Sequence, residues 1–203
     1  MNYNQLKNLS CYEEFEILST LTGISKVDIL KEFGYKINNY YFFISEDGIF
    51  NWYDLGGNHV EDPAVLKEIK DYYIPKTITK CVIPNSVINI GNNAFFACYL
   101  LTSISIPDSV TSINIEAFSN CKSLKEIIIP NSVTSIGHFA FWNCKSLKEI
   151  VILDNITHIG HKAFSFCESL KEVIFKGKTL EEVKQMENYP FGIEDESIIK
   201  CDV

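Results

Sequence analysis

The chain has 203 residues, with 26 acidic and 18 basic side chains and a formal net charge of −8. A protein that binds a nucleic-acid backbone needs clustered Lys and Arg, so this charge argues against DNA or RNA as the partner. A membrane-spanning helix needs about 20 consecutive apolar residues. The sequence contains no such run, and we expect no membrane insertion.

The first residues carry no basic segment followed by an apolar core, which is the pattern of a secretory signal. We therefore expect a cytoplasmic protein from the sequence as given. If the chain has been trimmed at its start, the expectation becomes a cell-surface or secreted protein.

Residues 1–60 do not repeat, and their pattern predicts a small N-terminal α/β capping unit. A capping box at Ser10 opens a helix to about residue 21, and Ser25 caps a second helix that ends near residue 33. Two aromatic-rich runs, at 40–44 and 49–53, flank an acidic turn with a glycine and predict a β-hairpin.

The two predicted helices superficially resemble a helix-turn-helix. A recognition helix presents basic or amide side chains to phosphates and bases. Here Lys26 and Lys31 are balanced by Asp28 and Glu32. A DNA-binding regulator that uses the N-terminal helices therefore ranks below a capping role for this unit.

The solenoid unit is predicted over residues 61–176. Asp62, followed by Pro63 at the first helical position, predicts a helix to about Lys70. Residues 72–78 then read as a degraded copy of the repeats that follow, with Tyr72 in place of their Phe and Ile78 in place of their Leu. Degraded end repeats are expected where an outer face must become polar.

From about Thr79 to Phe175 the sequence repeats with a period of 23 residues. Five columns keep this step over four copies, which is the signature of a solenoid. The columns are Ile90, Ile113, Ile136 and Ile159; Ala94, Ala117, Ala140 and Ala163; Phe95, Phe118, Phe141 and Phe164; Cys98, Cys121, Cys144 and Cys167; and Leu101, Leu124, Leu147 and Leu170.

Within one copy, the first segment predicts a strand. In the third copy its inward side chains are Leu124, Ile127 and Ile129. Pro130 ends this strand, and a second short extended piece follows at 133–136. One copy alone cannot bury its apolar face, so neighbouring copies must cover it.

The second half of each copy predicts a turn followed by a short helical turn. Gly137 is expected to supply a positive φ, and Asn114 takes the same slot in the preceding copy. Ala140, Phe141 and Cys144 are spaced to form one apolar face of a helical turn.

The repeat L-x-x-I-x-I-P-x-S-V-x-x-I-G-x-x-A-F-x-x-C resembles the BspA-like leucine-rich repeat family over about half of the chain. The resemblance implies an α/β fold: a right-handed leucine-rich repeat solenoid of 23-residue repeats, with a parallel sheet and short helical turns. It also implies a role in protein binding, adhesion or host contact rather than catalysis. It identifies no partner, because fold does not fix function.

Residues 177–203 are predicted to form a C-terminal helical cap. A capping box at Thr179–Glu182 opens a short helix through about Met186. Leu180, Val183 and Met186 are the side chains expected to cover the last repeat.

No arrangement of residues points to catalysis. The sequence has no Gly-rich phosphate loop, no nucleophile elbow and no metal-type cysteine pair, so we predict no enzyme activity, no cofactor and no metal. His138, His158 and His161 form the only histidine cluster, and they lack an evident third ligand. Four of the seven cysteines occupy one inward column, which favours reduced thiols that act as small apolar side chains.

The outward strand positions are the best candidate for function, because stacking turns each of them into a ladder. Lys residues precede the strands at 125, 148 and 171. Glu126, Glu149 and Glu172 form an acidic ladder beside them. The Lys and Glu ladders either neutralise each other at low energetic gain or border a partner-binding strip. The predicted partner-binding residues of the sheet are Glu126, Ile128, Glu149, Val151, Glu172 and Ile174.

Phe139 and Trp142 are a second candidate, since aromatic residues are enriched in binding hot spots. The alternative is that they pack laterally on neighbouring repeats. We therefore predict a non-catalytic module that binds an unidentified protein partner, with a surface adhesin or host-contact fragment as the alternative. A homodimer through the same surfaces stays possible.

Overall fold

The computed structural model describes residues 25, 28, 35–37, 40–44, 50–54, 59–60, 66–70, 74 and 76–203. The helix predicted from Ser10 and the tip of the predicted hairpin lie outside these residues. Of the second predicted helix, Asp28 is helical, and its amide donates to Ser25 Oγ over 3.1 Å, as expected of a capping serine.

An antiparallel sheet precedes the repeats. It consists of β1 (Tyr35–Ile37), β2 (Tyr40–Ile44), β3 (Phe50–Asp54) and β4 (His59–Val60), in that spatial order. The predicted pairing of the two aromatic-rich runs is confirmed, because β2 and β3 are antiparallel neighbours.

The repeats build two stacks of parallel strands, to which each copy contributes one short and one longer strand. The short strands are β5 (Glu68–Ile69), β7 (Asn89–Ile90), β9 (Ser112–Ile113), β11 (Ser135–Ile136) and β13 (His158–Ile159). The longer strands are β6 (Lys80–Val82), β8 (Ser103–Ser105), β10 (Glu126–Ile129), β12 (Glu149–Ile152), β14 (Glu172–Lys176) and β15 (Ile199–Asp202). The solenoid with parallel sheets is thus confirmed.

The helix predicted from Asp62 to Lys70 is wrong at its end. Glu68 and Ile69 form β5, which pairs with β7 so that Ile69 lies opposite Ile90. Ile69 and Ile90 are two residues closer together in sequence than Lys80 and Ser103, which lie opposite each other in β6 and β8. The first coil is therefore a shortened repeat; Tyr72 lies outside the described residues, whereas Ile74 is buried.

The predicted helical turns are hydrogen-bonded turns rather than helix. Amides alternate between two partners: Ala117 N donates to Asn114 O in its own coil over 3.3 Å, and Phe118 N donates to Ala140 O in the next coil over 2.8 Å. Two residues per coil adopt a left-handed backbone, which no α-helix tolerates. They are Asn93, Ala97, Glu116, Asn120, Phe139, Asn143, Lys162 and Phe166.

The conformational role expected of Gly137 is also wrong. Neither Gly137 nor Asn114 has a positive φ; the left-handed residues lie two positions later, at Phe139 and Glu116. A Cβ on Gly137 would lie 2.6 Å from the carbonyl carbon of Asn114 and from the nitrogen of Ile115. Glycine here permits close approach between coils.

The inward columns form a continuous core. The rings of Phe95, Phe118 and Phe141 stack with centroids 5.0 and 5.2 Å apart. Cys144 Sγ donates to Phe118 O over 3.2 Å, and Cys121 makes the same contact with Phe95. The six cysteines in the described part of the chain are free thiols.

The C-terminal segment continues the stack. The C-terminal helix (Leu180–Gln185) begins with the predicted capping box at Thr179. Val183 is buried, whereas Leu180, which was expected to cover the last repeat, is 38% exposed. After a 3-10 helix at Glu196–Ile198, β15 pairs in parallel with β14.

Phe191 takes part in this last coil. It is buried, and its carbonyl accepts from Phe164 N over 3.0 Å. Its ring centroid lies 6.1 Å from that of Phe175.

Among the described residues, no helix has the length and apolar character needed to cross a bilayer.

Candidate partner-binding surface

Six of the eight predicted binding residues lie side by side on the sheet of longer strands. Parallel pairing puts Glu126, Glu149 and Glu172 in one column across β10, β12 and β14. The same register aligns Ile128, Val151 and Ile174 in a second column. We call these six residues the ladder face.

The strand pattern explains why these side chains point outward. In β10, Ile127 and Ile129 are buried, and the residues between and before them are exposed, because successive side chains of a strand point to opposite faces. β12 and β14 repeat this alternation. The apolar column is thus presented to solvent at Ile128, which is 66% exposed, and is half-buried at Val151 and Ile174.

The two columns change character along the stack. Before β10, the acidic column holds Lys80 and Ser103, and the apolar column holds Val82 and Ser105. After β14, Lys200 follows Ile174. The combination of carboxylate and apolar rows is therefore confined to the last three 23-residue repeats.

The Glu and Lys ladders do not neutralise each other through ion pairs. In the part of the chain that the structure describes, the ion pairs join Lys145 to Glu168, Lys176 to Asp202 and His158 to Glu187, and none includes a ladder residue. Like charges opposite each other on neighbouring strands are destabilising. The three exposed carboxylates therefore stand in one row, with no cation within ion-pair distance among these residues.

The structure separates Phe139 and Trp142 from the ladder face. Both lie in the turn segment of the third copy and are half-buried. Phe139 meets the His161 ring edge to face at 6.0 Å, and Trp142 meets the Phe166 ring at 5.5 Å. They pack on the next coil, which was the alternative prediction, and they form no common site with the sheet residues.

Phe166 is the exposed member of this aromatic group. It is 58% exposed although its φ is +61°. The sequence holds a signal for its left-handed backbone: the two preceding residues at the 23-residue step are Asn120 and Asn143, and Asn tolerates that conformation.

The remaining reactive side chains are held in structural contacts. His138 Nδ1 accepts the amide of His161 over 2.8 Å, and no group of three His, Cys, Asp or Glu residues in the described ranges could hold a metal. Burial raises the pKa of Cys81 to about 12 and that of Cys98 to about 11. The pKa values of Cys121 and Cys144 are raised by burial as well. Such thiols stay protonated and are poor nucleophiles.

Several solved structures share this fold. A leucine rich cell surface protein from Faecalibacterium prausnitzii aligns with a TM-score of 0.58 and 24% identity, over 75% of this chain and 41% of that one. The T. pallidum leucine rich repeat protein TpLRR aligns with a TM-score of 0.55 and 24% identity, over 75% of this chain and 79% of that one. At these identities the likeness shows the fold alone.

A third structure, the pneumococcal vaccine antigen PcpA, aligns with a TM-score of 0.51 and 26% identity, over 74% of this chain and 38% of that one. The chain thus spans less than half of PcpA and of the F. prausnitzii protein. Comparison with curated proteins finds no match.

A family model gives the assignment directly. The model of the BspA type leucine rich repeat region matches six copies over residues 67–192, which is more than half of the chain. This range includes the shortened first coil, whose β5 pairs with β7, and runs into the irregular last coil, whose β15 pairs with β14. The chain is therefore a member of the BspA type leucine-rich repeat family.

Proposed function

We propose that this protein is a non-catalytic interaction module that binds a partner protein through the ladder face. The observation that carries the proposal is the exposed apolar column, in which Ile128 leaves two thirds of its surface in solvent beside unpaired carboxylates. Contiguous exposed apolar surface with a polar rim marks interaction sites when it is larger than single scattered side chains. Protein binding is also the usual role of this family's repeats.

The test is capture of a partner from lysate of the source cells with an Ile128→Glu/Val151→Glu variant. These changes put charge into the apolar column without touching the core, and we expect the variant to lose a protein that the wild type retains. Leu100→Glu/Ile115→Glu is the matched control, because both side chains are exposed and apolar but lie outside the sheet. A partner retained by all three proteins would refute binding at the ladder face.

Self-association is the competing use of the same surface. Light scattering on the wild type and on Ile128→Glu/Val151→Glu distinguishes the two. A wild-type monomer leaves the face free for a foreign protein. A dimer that the double substitution converts to a monomer would show that the ladder face is occupied by a second copy.

Phe139 and Trp142 belong to the proposal as a separate contact on the turn side, where the exposed ring of Phe166 adjoins Trp142. Truncating Phe166 to Ala removes the exposed ring and leaves the core columns intact. If the captured partner is retained equally well by Phe166→Ala, the turn side is a packing surface only.

A second candidate function is that of a surface-exposed adhesin or host-contact fragment. The alignment with the pneumococcal vaccine antigen PcpA favours it. Brief protease treatment of intact source cells tests this location. Loss of the protein while a cytoplasmic marker survives supports it, and survival of both contradicts it.

A further inference from the structure

We propose that the segment that binds the ladder face is a basic amphipathic α-helix lying along the axis of the coil stack. This inference rests on the proposed function and specifies the chemistry of the partner. It is carried by the spacing of the columns, the width of the apolar column and the position of the carboxylates beside it.

The spacing favours a helix. Neighbouring strands lie about 4.7–4.9 Å apart, so the apolar column offers one side chain at each such step. A helix laid along the column rises about 5.4 Å per turn, and its residues i, i+4 and i+7 meet three successive coils with only a small mismatch. An extended segment presents same-side residues about 6.6–6.8 Å apart and falls out of step within two coils.

The width of a helix determines which charges it meets. A helix with its side chains is about 10–12 Å across. Centred on Ile128, it extends about 5–6 Å to each side. Its border therefore meets the column of Glu126, about 6.6–6.8 Å away along the strand, and stops short of the column of Lys125, about 10 Å away. On the other side β10 ends before Pro130, which is buried. The exposed charge there is Lys176 at the end of β14, and it is paired with Asp202 over 3.0 Å.

The carboxylates determine the sign of the partner. Glu126, Glu149 and Glu172 repel one another along their column and have no ion-pair partner among the described residues. A helix with Lys or Arg along one border of its apolar stripe relieves this repulsion. An acidic helix increases the repulsion, and like charges that face each other across an interface disfavour its binding.

The experiment uses two synthetic 18-residue helical peptides with the same Leu stripe, one with Lys and one with Glu at every polar position. Fluorescence anisotropy measures the Kd of each for the full chain. The expected result is binding of the Lys peptide and at least tenfold weaker binding of the Glu peptide. Equal affinities would overturn the proposal.

A matched pair of variants separates the column from net charge. Glu126→Gln/Glu149→Gln/Glu172→Gln removes the column, and Asp108→Asn/Glu181→Gln/Glu194→Gln removes the same charge from exposed sites elsewhere. We expect at least tenfold weaker binding of the Lys peptide by the first variant and unchanged binding by the second. Equal weakening in both variants would show attraction to overall charge and would refute a specific site.

The outcomes also separate this inference from the proposed function. Suppose that capture of the cellular partner is lost in Ile128→Glu/Val151→Glu, but the Kd of the Lys peptide is unchanged by the three Glu→Gln substitutions. The ladder face then binds a protein of another kind, and the helix proposal is wrong. Suppose instead that the three Glu→Gln substitutions weaken peptide binding, but no cellular partner is lost in Ile128→Glu/Val151→Glu. The ladder face then binds basic helices, and the proposed function fails.

Discussion

Backbone strain at single residues is built into every coil. Asn120 and Asn143 adopt left-handed φ values of +64° and +59°, and their side-chain amides are joined over 2.7 Å. Ala97 occupies the same column at +57° without a polar side chain. For an L-residue other than Gly or Asn this conformation costs roughly 1–2 kcal/mol.

Ala97→Asn should therefore stabilise the protein. Asn tolerates the left-handed backbone, and its side chain is placed to extend the amide ladder from Asn120. We expect the free energy of unfolding to rise by about 1 kcal/mol, measured by urea denaturation. Ala97→Val is the control and should lower it, because β-branched residues resist positive φ. If Asn and Val shift the denaturation midpoint in the same direction, the φ argument fails.

Two buried thiols, one on β6 and one in the cysteine column, make stability depend on alkaline pH. Burial raises the pKa of the Cys81 thiol to about 12 and that of the Cys98 thiol to about 11, above the ordinary range of a cysteine. Above pH 9 the unfolded chain releases these protons and the folded chain keeps them. The stabilisation is thus complete below pH 9 and is lost as pH rises toward 11 or 12, by up to about 1.4 kcal/mol per pH unit for each thiol.

This dependence is measured by urea denaturation at pH 7.5, 9 and 10.5. Lys and Tyr side chains also titrate in that range, so the comparison is with Cys98→Ala. The substitution lowers stability at neutral pH by loss of packing, and it should make the decline above pH 9 shallower. Identical slopes for the two proteins would show that Cys98 is not the titrating group.

At the scale of elements, the ladders could be predicted because they depend only on period. A step of 23 residues aligned Glu126 with Glu149, and alternation within the strand placed Ile127 inward, and both follow from the geometry of parallel strands. The turn segments could not be predicted in the same way. The spacing of Ala140, Phe141 and Cys144 fits a helical turn, but their amides alternate between their own coil and the next one.

The end of the helix predicted to run to Lys70, where Glu68 and Ile69 form a strand instead, has a related cause. Asp62 and Pro63 are local start signals, and local propensity is a weak prior that tertiary context overrides. Ile69 gains more as a ladder neighbour of Ile90, where it is fully buried. For Phe139 and Trp142 the sequence offered both partner binding and packing on neighbouring repeats, since no period tells whether Trp142 packs on the next coil or faces solvent.

The C-terminal helix depends on its capping box. Glu182 N donates to Thr179 Oγ1 over 3.3 Å, and Thr179 N donates to Glu182 Oε2 over 2.7 Å. Thr179→Ala removes the first contact and should cost about 1 kcal/mol, measured as the urea midpoint. Thr179→Ser keeps the hydroxyl and should stay within a few tenths of wild type; a loss as large as that of Ala would assign the effect to the threonine methyl group instead.

At the scale of the whole molecule, stability is shared between coils. Each repeat contacts only its neighbours, so the stack needs covered ends. At the C-terminal end, Phe191 packs against Phe164 and Phe175, and Ile199 lies opposite Val173 in the last strand pair.

Truncation after Phe175 tests the cap. It removes four buried apolar side chains, Val183, Phe191, Ile193 and Ile199. At about 1.5–3 kcal/mol each, their loss is comparable with the roughly 5–15 kcal/mol that holds a typical domain folded. We expect a protein that aggregates or melts far below the full chain, measured by light scattering and thermal circular dichroism.

Removal of Val203 alone, which is 87% exposed, should change neither measurement. A truncated chain that stays monomeric with an unchanged Tm would mean that the four repeats are stable without the last coil, and that residues 177–203 serve another purpose.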